Sequence, residues 1–247
     1  MNSIDRGSGA GYKITDGGER RFICGGDSPD KEFGLIGTAT MIDEQRRPHW
    51  DDVYKSKAAD SVSWYQASPD MSLELIIDSG VGLNASIIDV GGGASILVDK
   101  LLDRGQAHVA VLDIAASGLA ATRHRLGARS SAATWIVADV TTWRADSEFD
   151  LWHDRAVFHF LTSATDRDGY RMALKQGLAI GGTLILATFA LDGPERCSGL
   201  PVQRYDAAGL AAEMGSAFEL LDSRREAHRT PGGAVQAFTW TRFRRVA

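Results

Sequence analysis

The stretch IIDVGGGASILVDKLL, residues 87–102, combines an apolar run, three consecutive glycines and an apolar pattern with helical spacing. Glycine loses more conformational entropy on folding than any other residue, so a run of three indicates that a ligand comes close to the backbone. We predict a buried strand over 86–90, a tight loop over 91–93 and a helix over 94–104.

The segments on either side of this stretch alternate between strand and helix. The remaining predicted elements are strands over 108–114, 133–139, 149–154 and 182–190, and helices over 117–126, 166–179 and 206–215. Two extended runs, 218–229 and 234–245, are separated by TPGG and predict an antiparallel hairpin at one edge. The pattern is typical of an α/β protein with a doubly wound, mostly parallel sheet of seven strands.

The first part of the chain differs from the rest in composition and in hydrophobic periodicity. Residues 1–45 hold many of the glycines and lack sustained periodicity, so we interpret them as a flexible or loosely packed extension. Residues 49–80 predict one or two short helices, the second opened by Pro69.

Composition excludes several classes of protein. The net charge is −5, so no basic field points to a nucleic-acid or anionic-membrane partner. No apolar run approaches the roughly 18 residues of a membrane span, and we expect a cytoplasmic protein. Cys24 and Cys197 are the only cysteines and lack CxxC spacing, so we expect neither a disulfide framework nor a metal site.

Two ligand classes fit a glycine loop at the carboxyl end of the first strand: a dinucleotide pyrophosphate, and the amino-acid end and ribose of S-adenosylmethionine. In both, bare backbone lets N–H groups approach the ligand, and the following helix start favours a negative group. A dinucleotide fingerprint places its third glycine where Ile96 stands. Asp89 adds negative charge that would repel phosphates and attract an ammonium group. The spacing therefore favours the sulfonium cofactor.

Two further aspartates end the next two predicted strands. Asp113 is placed to accept hydrogen bonds from both hydroxyl groups of a ribose. Both candidate cofactors contain such a ribose. Asp139 is placed to accept the exocyclic amine of adenine, with Val140 as an apolar edge. The alternative is that these aspartates cap turns or helices, as strand-end acids often do.

The motifs DVGGGAS, Asp113, ADV and FDLWHDRAVFHFL, followed by GGTLILATF and the final hairpin, resemble class I S-adenosylmethionine-dependent methyltransferases. The resemblance covers roughly residues 46–247, and HWDDVYKSKAADSVSWYQ is similar to small bacterial methyltransferases of mostly unassigned acceptor. It implies a Rossmann-like core over 86–247, a helical lid over 46–85, S-adenosyl-L-methionine as cofactor and S-adenosyl-L-homocysteine as product. Ser95 replaces the third glycine of the family's fuller motif.

The resemblance also implies roles for individual residues. The methionine portion would be lined by Asp89, Gly91, Gly92 and Gly93; the ribose by Asp113 and Ile114; and the adenine by Asp139 and Val140. Trp50, Tyr54, Trp64 and Tyr65 would cover the cofactor, although aromatic core packing is an equally simple explanation for them.

The candidates beside the reacting methyl group follow the fourth strand. They are Asp154, Arg155 and His159, with His153 as a further candidate. The alternatives are a structural Asp154–Arg155 ion pair and a helix-capping His159. The loop over 192–201, with Arg196 and Cys197, is the other expected wall of the site.

The resulting hypothesis is in-line methyl transfer to a small molecule through S, N, O or a metalloid, driven by alignment and desolvation rather than by a general base. The protein would act as a monomer or homodimer. Three alternatives stay open: a protein-lysine methyltransferase, an NAD-dependent oxidoreductase, and a catalytically silent cofactor-binding protein.

Overall fold

A computed structural model describes the chain from residue 38 to residue 247, and its side chains from residue 46. The helices are α1 (Thr38–Ser56), α2 (Asp70–Asp78), α3 (Leu97–Asp103), α4 (Ala116–Leu126), α5 (Ala164–Gly177) and α6 (Ala207–Met214). The strands are β1 (Ser86–Val90), β2 (His108–Asp113), β3 (Ala133–Val137), β4 (Phe149–Arg155), β5 (Leu178–Phe189), β6 (Arg196–Cys197), β7 (Leu200–Pro201), β8 (Phe218–Arg229) and β9 (Val235–Arg245).

Seven of these strands form one sheet in the order β3–β2–β1–β4–β5–β9–β8. The first five run parallel, whereas β9 pairs antiparallel with both β5 and β8. The predicted doubly wound sheet with a C-terminal antiparallel hairpin is therefore confirmed. Strands β6 and β7 form a separate small hairpin within the predicted loop over 192–201. The strand order reverses between β1 and β4, the place where ligands bind in open α/β sheets.

Strand alternation sends neighbouring residues to opposite faces of the sheet. On β4, Leu151 packs in the core that contains α2 and α3, whereas Trp152 packs in the core that contains α5 and α6. The pairing of β1 with β4 sets Asp89 opposite His153 on the first of these faces. This alternation decides which side chains of β4 reach the site.

Several boundaries differ from the sequence expectation, and three of them lie near the cavities described below. Helix α3 begins at Leu97 instead of residue 94, because Ser95 N–H donates to the Gly92 carbonyl in a turn and the Ser95 hydroxyl then accepts from Leu97 N–H. Strand β3 ends at Val137, so Asp139 lies in the loop beyond it. Helix α1 crosses residue 46, where the sequence put the end of the N-terminal extension.

Residues 1–37 lie outside the described part of the chain, so the interpretation of the N-terminal extension stays a prediction. Within the described part, no helix combines the length and apolarity that crossing a bilayer requires.

Candidate active site

A cavity of about 110 Å³ lies at the carboxyl ends of β1, β2 and β4. A second cavity of about 50 Å³ shares Tyr54, Trp64 and Arg155 with the first and reaches β1 and α2. The residues predicted for the cofactor that border one cavity or both are Trp50, Tyr54, Trp64, Asp89, Gly91, Gly92, Asp113, Ile114, Asp139 and Val140. The structure thus brings together nearly all of the predicted cofactor residues.

Gly93 is the exception in the glycine loop. A Cβ atom at this position would collide with the Tyr54 hydroxyl and the Asp113 carboxylate, so the protein's own side chains fill the space beside it. Gly91 has φ +72°, the left-handed region that favours glycine, and a Cβ there would overlap the Val157 side chain. The glycines are therefore required by the tight packing of the loop.

The backbone N–H groups of the loop are also engaged within the protein. Gly91 and Gly92 both donate to the Leu112 carbonyl, at 2.7 and 3.3 Å, and Gly93 donates to Asp113 Oδ2 at 3.0 Å. These N–H groups thus have partners within the protein, and their expected contact with a ligand stays a prediction. They hold the loop on β2 and orient the Asp113 carboxylate.

The Asp113 carboxylate accepts three hydrogen bonds from the protein. Its Oδ1 accepts the N–H of Ala115 at 2.8 Å, and its Oδ2 accepts from Gly93 and, at 3.5 Å, from the Tyr54 hydroxyl. Burial raises the pKa of Asp113 to about 6, against the lowering effect of the two backbone donors. Each carboxylate oxygen has two lone pairs, so further donors such as hydroxyl groups still find acceptors here.

Asp139 has a partner that the sequence did not indicate. Its Oδ1 accepts from the backbone N–H and the hydroxyl of Thr141, and its Oδ2 accepts from Arg46 at 3.3 Å. Arg46 also pairs with Asp166 and borders the larger cavity. A guanidinium from α1 therefore ties this helix to the loop after β3.

Asp89 presents one free oxygen to the smaller cavity. Its Oδ1 lies 2.7 Å from His153 Nδ1, and His153 Nε2 lies 3.0 Å from the Ser72 hydroxyl. Asp89 Oδ2 is buried and has no hydrogen-bond partner among residues 46–247. A buried carboxylate oxygen without a donor favours a ligand that brings one.

Arg155 borders both cavities. Its Nη1 donates to the Trp64 carbonyl at 3.0 Å and its guanidinium lies 4.7 Å from the Phe238 ring centre. Its Nε and Nη2 are buried and lack acceptors within the described part of the chain. Burial lowers the pKa of Arg155 to about 10, which leaves it charged at neutral pH. Two free donors of a charged guanidinium match a carboxylate.

Asp154 does not border the cavities, so its predicted contact with the reacting group is not supported. Strand alternation turns it to the opposite face from Asp89, where it is fully buried. It accepts from the N–H groups of Val157 and Phe158 and from the Tyr170 hydroxyl at 2.8 Å. These contacts hold the chain after β4, which is a structural role.

His159 likewise does not border the cavities. Its Nδ1 accepts the N–H of Phe189 at 3.3 Å, and its ring lies between the rings of Phe160 and Phe189. Burial, aided by the charge of Arg155, lowers the pKa of His159 to about 3. Of the three predicted catalytic residues, only Arg155 lies at the site.

Aromatic side chains cover the larger cavity. Trp50 packs edge to face against Trp64 at 5.8 Å and against Phe160 at 5.0 Å, and Tyr54 packs against Trp64 at 6.2 Å. Phe160 was not identified from the sequence, since it follows β4 in a short 3-10 turn rather than in a recognisable motif. Three of the four predicted lid residues, Trp50, Tyr54 and Trp64, therefore form one aromatic cluster with Phe160. The fourth, Tyr65, lies outside this cluster and borders the smaller cavity.

The loop over 192–201 contributes one side chain to the larger cavity. Cys197 is buried on β6 and borders the cavity, and burial raises the pKa of its thiol. Arg196 is exposed and donates to the Gly199 carbonyl instead. The predicted wall is therefore present, although it is apolar where it meets the cavity.

Comparison with known proteins agrees with this geometry. Residues 87–182 match the family described as a methyltransferase domain. Among curated proteins, none matches this sequence.

Several solved structures share the fold. One comes from a study of the conversion of a disulfide bond into a thioacetal group during echinomycin biosynthesis (TM-score 0.66, 18% identity, 81% of this chain and 93% of that chain). Another is the 1,6-didemethyltoxoflavin-N1-methyltransferase of Burkholderia thailandensis with 1,6-didemethyltoxoflavin and S-adenosylhomocysteine bound (TM-score 0.61, 18% identity, 90% and 93%). A third is the glycopeptide N-methyltransferase MtfA with S-adenosyl-L-methionine (TM-score 0.57, 16% identity, 74% and 96%).

Identities this low establish a common fold and leave the acceptor open. The sequence motifs, the strand order and the family match over residues 87–182 agree with one another. Residues 87–182 thus match a methyltransferase domain, and the described part of the chain has the fold of class I S-adenosylmethionine-dependent methyltransferases.

Proposed function

We propose that this protein transfers a methyl group from S-adenosylmethionine to a small molecule. The observation that carries the proposal is the pair of free groups at one cavity: Asp89 Oδ2, an acceptor, and Arg155 Nε and Nη2, two donors. An amino-acid end, with an ammonium and a carboxylate, complements both. Asp113 lies at the adjoining cavity, where a ribose would follow.

When bound, the cofactor supplies an electrophilic methyl group, which bonds to an acceptor lone pair while the sulfur keeps the electrons of the broken C–S bond. The chain's own contribution is to hold and enclose the two reactants. Asp89 and Arg155 bind the charged end, and Asp113 accepts from hydroxyl groups. Trp50, Trp64 and Phe160 exclude water from the larger cavity, which strengthens polar contacts inside it.

The titratable groups that border the larger cavity are Arg46, Tyr54, Asp113, Asp139, Arg155 and Cys197. Burial raises the pKa of the Tyr54 hydroxyl well above its usual value and raises that of the Cys197 thiol. Asp113 and Asp139 already accept donors of the protein. This set contains no imidazole, and the proposed ribose contact uses the remaining acceptor positions of Asp113, which supports an acceptor with an available lone pair, such as a thiolate or a neutral amine.

The dinucleotide alternative is disfavoured by the glycine loop. Pyrophosphate binding uses the N–H groups of such a loop, whereas Gly91, Gly92 and Gly93 donate to Leu112 and Asp113. The free oxygen of Asp89 would face the phosphates. A small-molecule acceptor rather than a protein lysine is supported by the Burkholderia thailandensis N1-methyltransferase that shares this fold, whose structure holds 1,6-didemethyltoxoflavin.

The experiment is a screen of thiols, amines, phenols, halides and metalloid oxyanions, scored by release of S-adenosylhomocysteine. Turnover with a small acceptor supports the proposal, and the size of the response ranks the classes. Wild-type protein that binds S-adenosylmethionine but turns over no member of these classes, while it methylates a lysine-containing protein, would contradict the small-molecule acceptor.

A further inference from the structure

Three buried side chains from three elements form a hydrogen-bonded chain at the smaller cavity. Ser72 of α2, Asp89 of β1 and His153 of β4 are 1%, 2% and 2% exposed. The Ser72 hydroxyl lies 3.0 Å from His153 Nε2, and His153 Nδ1 lies 2.7 Å from Asp89 Oδ1. The sheet register sets Asp89 and His153 opposite each other, so the fold itself produces this contact.

We infer that Ser72 and His153 are positioning residues, which hold Asp89 so that its free Oδ2 receives the ammonium group of the cofactor's amino-acid end. The inference rests on the proposed function and deepens it. It assigns the recognition of the ammonium to a Ser72–His153–Asp89 chain rather than to Asp89 alone.

The hydrogen bonds from Ser72 to His153 and from His153 to Asp89 determine the tautomer of the imidazole. Asp89 is an acceptor, so His153 Nδ1 carries a proton and donates to it, and in the neutral imidazole Nε2 then accepts the Ser72 hydroxyl hydrogen. The Trp240 ring, 6.1 Å from the imidazole, closes the side toward β9. The imidazole therefore has little freedom to turn away from Asp89.

The hydrogen bond from His153 also keeps the Asp89 carboxylate from pairing with the Arg155 guanidinium. The two groups border the same cavity, and the negative charge of Asp89 acts on Arg155. A carboxylate without the His153 donor would be free to turn toward the guanidinium, and the two ligand-binding groups would then satisfy each other. The His153 contact occupies Oδ1 and leaves Oδ2 at the cavity, beside Gly92.

The test compares two probes that differ at the amino-acid end. S-adenosylhomocysteine carries the ammonium and carboxylate, whereas 5′-methylthioadenosine has the same nucleoside and lacks both. In His153→Leu, the affinity for S-adenosylhomocysteine should fall by about tenfold to a hundredfold, since a hydrogen bond to a charged group is lost. The affinity for methylthioadenosine should stay within about threefold of wild type. His153→Asn, whose amide N–H replaces Nδ1–H, should recover most of the loss.

Two more variants complete the design. Ser72→Ala removes only the outer link and should cost S-adenosylhomocysteine affinity about twofold to tenfold, again with little effect on methylthioadenosine. This variant keeps the inference testable if His153→Leu does not fold. Tyr170→Phe is the matched control, because it removes one donor from a buried carboxylate, Asp154, that does not border the cavity. It should leave both affinities unchanged.

Equal losses for both probes in His153→Leu and Ser72→Ala, or no loss for either, would overturn the inference. Failure of the proposed function looks different, because wild-type protein would then bind neither S-adenosylmethionine nor S-adenosylhomocysteine.

Discussion

Asp113 and Asp154 are both buried carboxylates whose pKa is raised to about 6 by burial, yet only Asp113 borders the cavity. Each is held by two backbone N–H groups and faces one tyrosine hydroxyl. The similar surroundings serve different purposes. Asp113 ends β2 at the ligand side, and Asp154 fixes the chain after β4. Substitution of Asp113 should therefore weaken ligand binding, whereas substitution of Asp154 should lower the stability of the fold.

Asp113→Asn should weaken the binding of 5′-methylthioadenosine, because one carboxylate oxygen that accepts from ribose hydroxyls is lost. Those hydroxyls prefer the ionised form of Asp113, whose pKa is about 6 in the free protein. Wild-type affinity should therefore rise between about pH 5 and about pH 7.5 and then level off. Calorimetric titration at several pH values measures both effects.

The variant itself provides the control for that pH dependence. Asp113→Asn cannot ionise, so its weaker affinity should be nearly flat over the same range. A rise of equal size in wild type and variant would assign the titration to another group and contradict the ribose role of Asp113.

Asp154→Ala should leave Val157 N–H, Phe158 N–H and the Tyr170 hydroxyl without their acceptor. The free energy of unfolding should fall by at least about 2 kcal/mol, because buried donors would lose their partners. Chemical denaturation of the ligand-free protein measures this loss. Affinity for S-adenosylhomocysteine, taken below the melting range, should change by less than about threefold. A large loss of affinity without a loss of stability would contradict this structural role and indicate that Asp154 takes part in ligand binding.

His159→Gln should slow methyl transfer by less than the roughly hundredfold expected of a lost general base. The pKa of His159 is lowered to about 3, so its neutral imidazole is a poor proton acceptor at neutral pH. Single-turnover rates against pH, with an acceptor found by the screen, provide the measurement. Disappearance of an acidic limb near pH 6–7 in the variant, with a loss above about a thousandfold, would make His159 a base after all.

Gly91→Ala should destabilise the fold more than Gly105→Ala. Both glycines have positive φ, +72° and +83°, so alanine strains the backbone at each by about 1–2 kcal/mol. At Gly91 the added Cβ also overlaps Val157, whereas at Gly105 it meets open space. Denaturation midpoints of the two variants compare backbone strain alone with strain plus steric overlap. Equal losses would mean that Val157 moves aside at little cost.

The sequence indicated the strand ends because apolar runs and turn residues mark them locally. Asp89 and Asp113 could be identified this way, since each ends a buried run. The role of Asp154 could not be read from its neighbours, because it depends on which face of β4 it occupies. Arg46 gave no local signal, since its contact with Asp139 spans 93 positions along the chain. The chain from Ser72 to Asp89 likewise exists only once α2, β1 and β4 have packed together.

The amino-acid end of the ligand provides the most direct test of the central claim, that Asp89 and Arg155 form the cofactor's charged subsite. Wild-type protein should be titrated calorimetrically with S-adenosylhomocysteine, 5′-methylthioadenosine and NAD under one set of conditions. We predict that S-adenosylhomocysteine binds at one site per chain, at least about tenfold more tightly than methylthioadenosine, and that NAD binds more weakly than both. Equal affinities for the first two ligands, or preferential binding of NAD, would contradict the account.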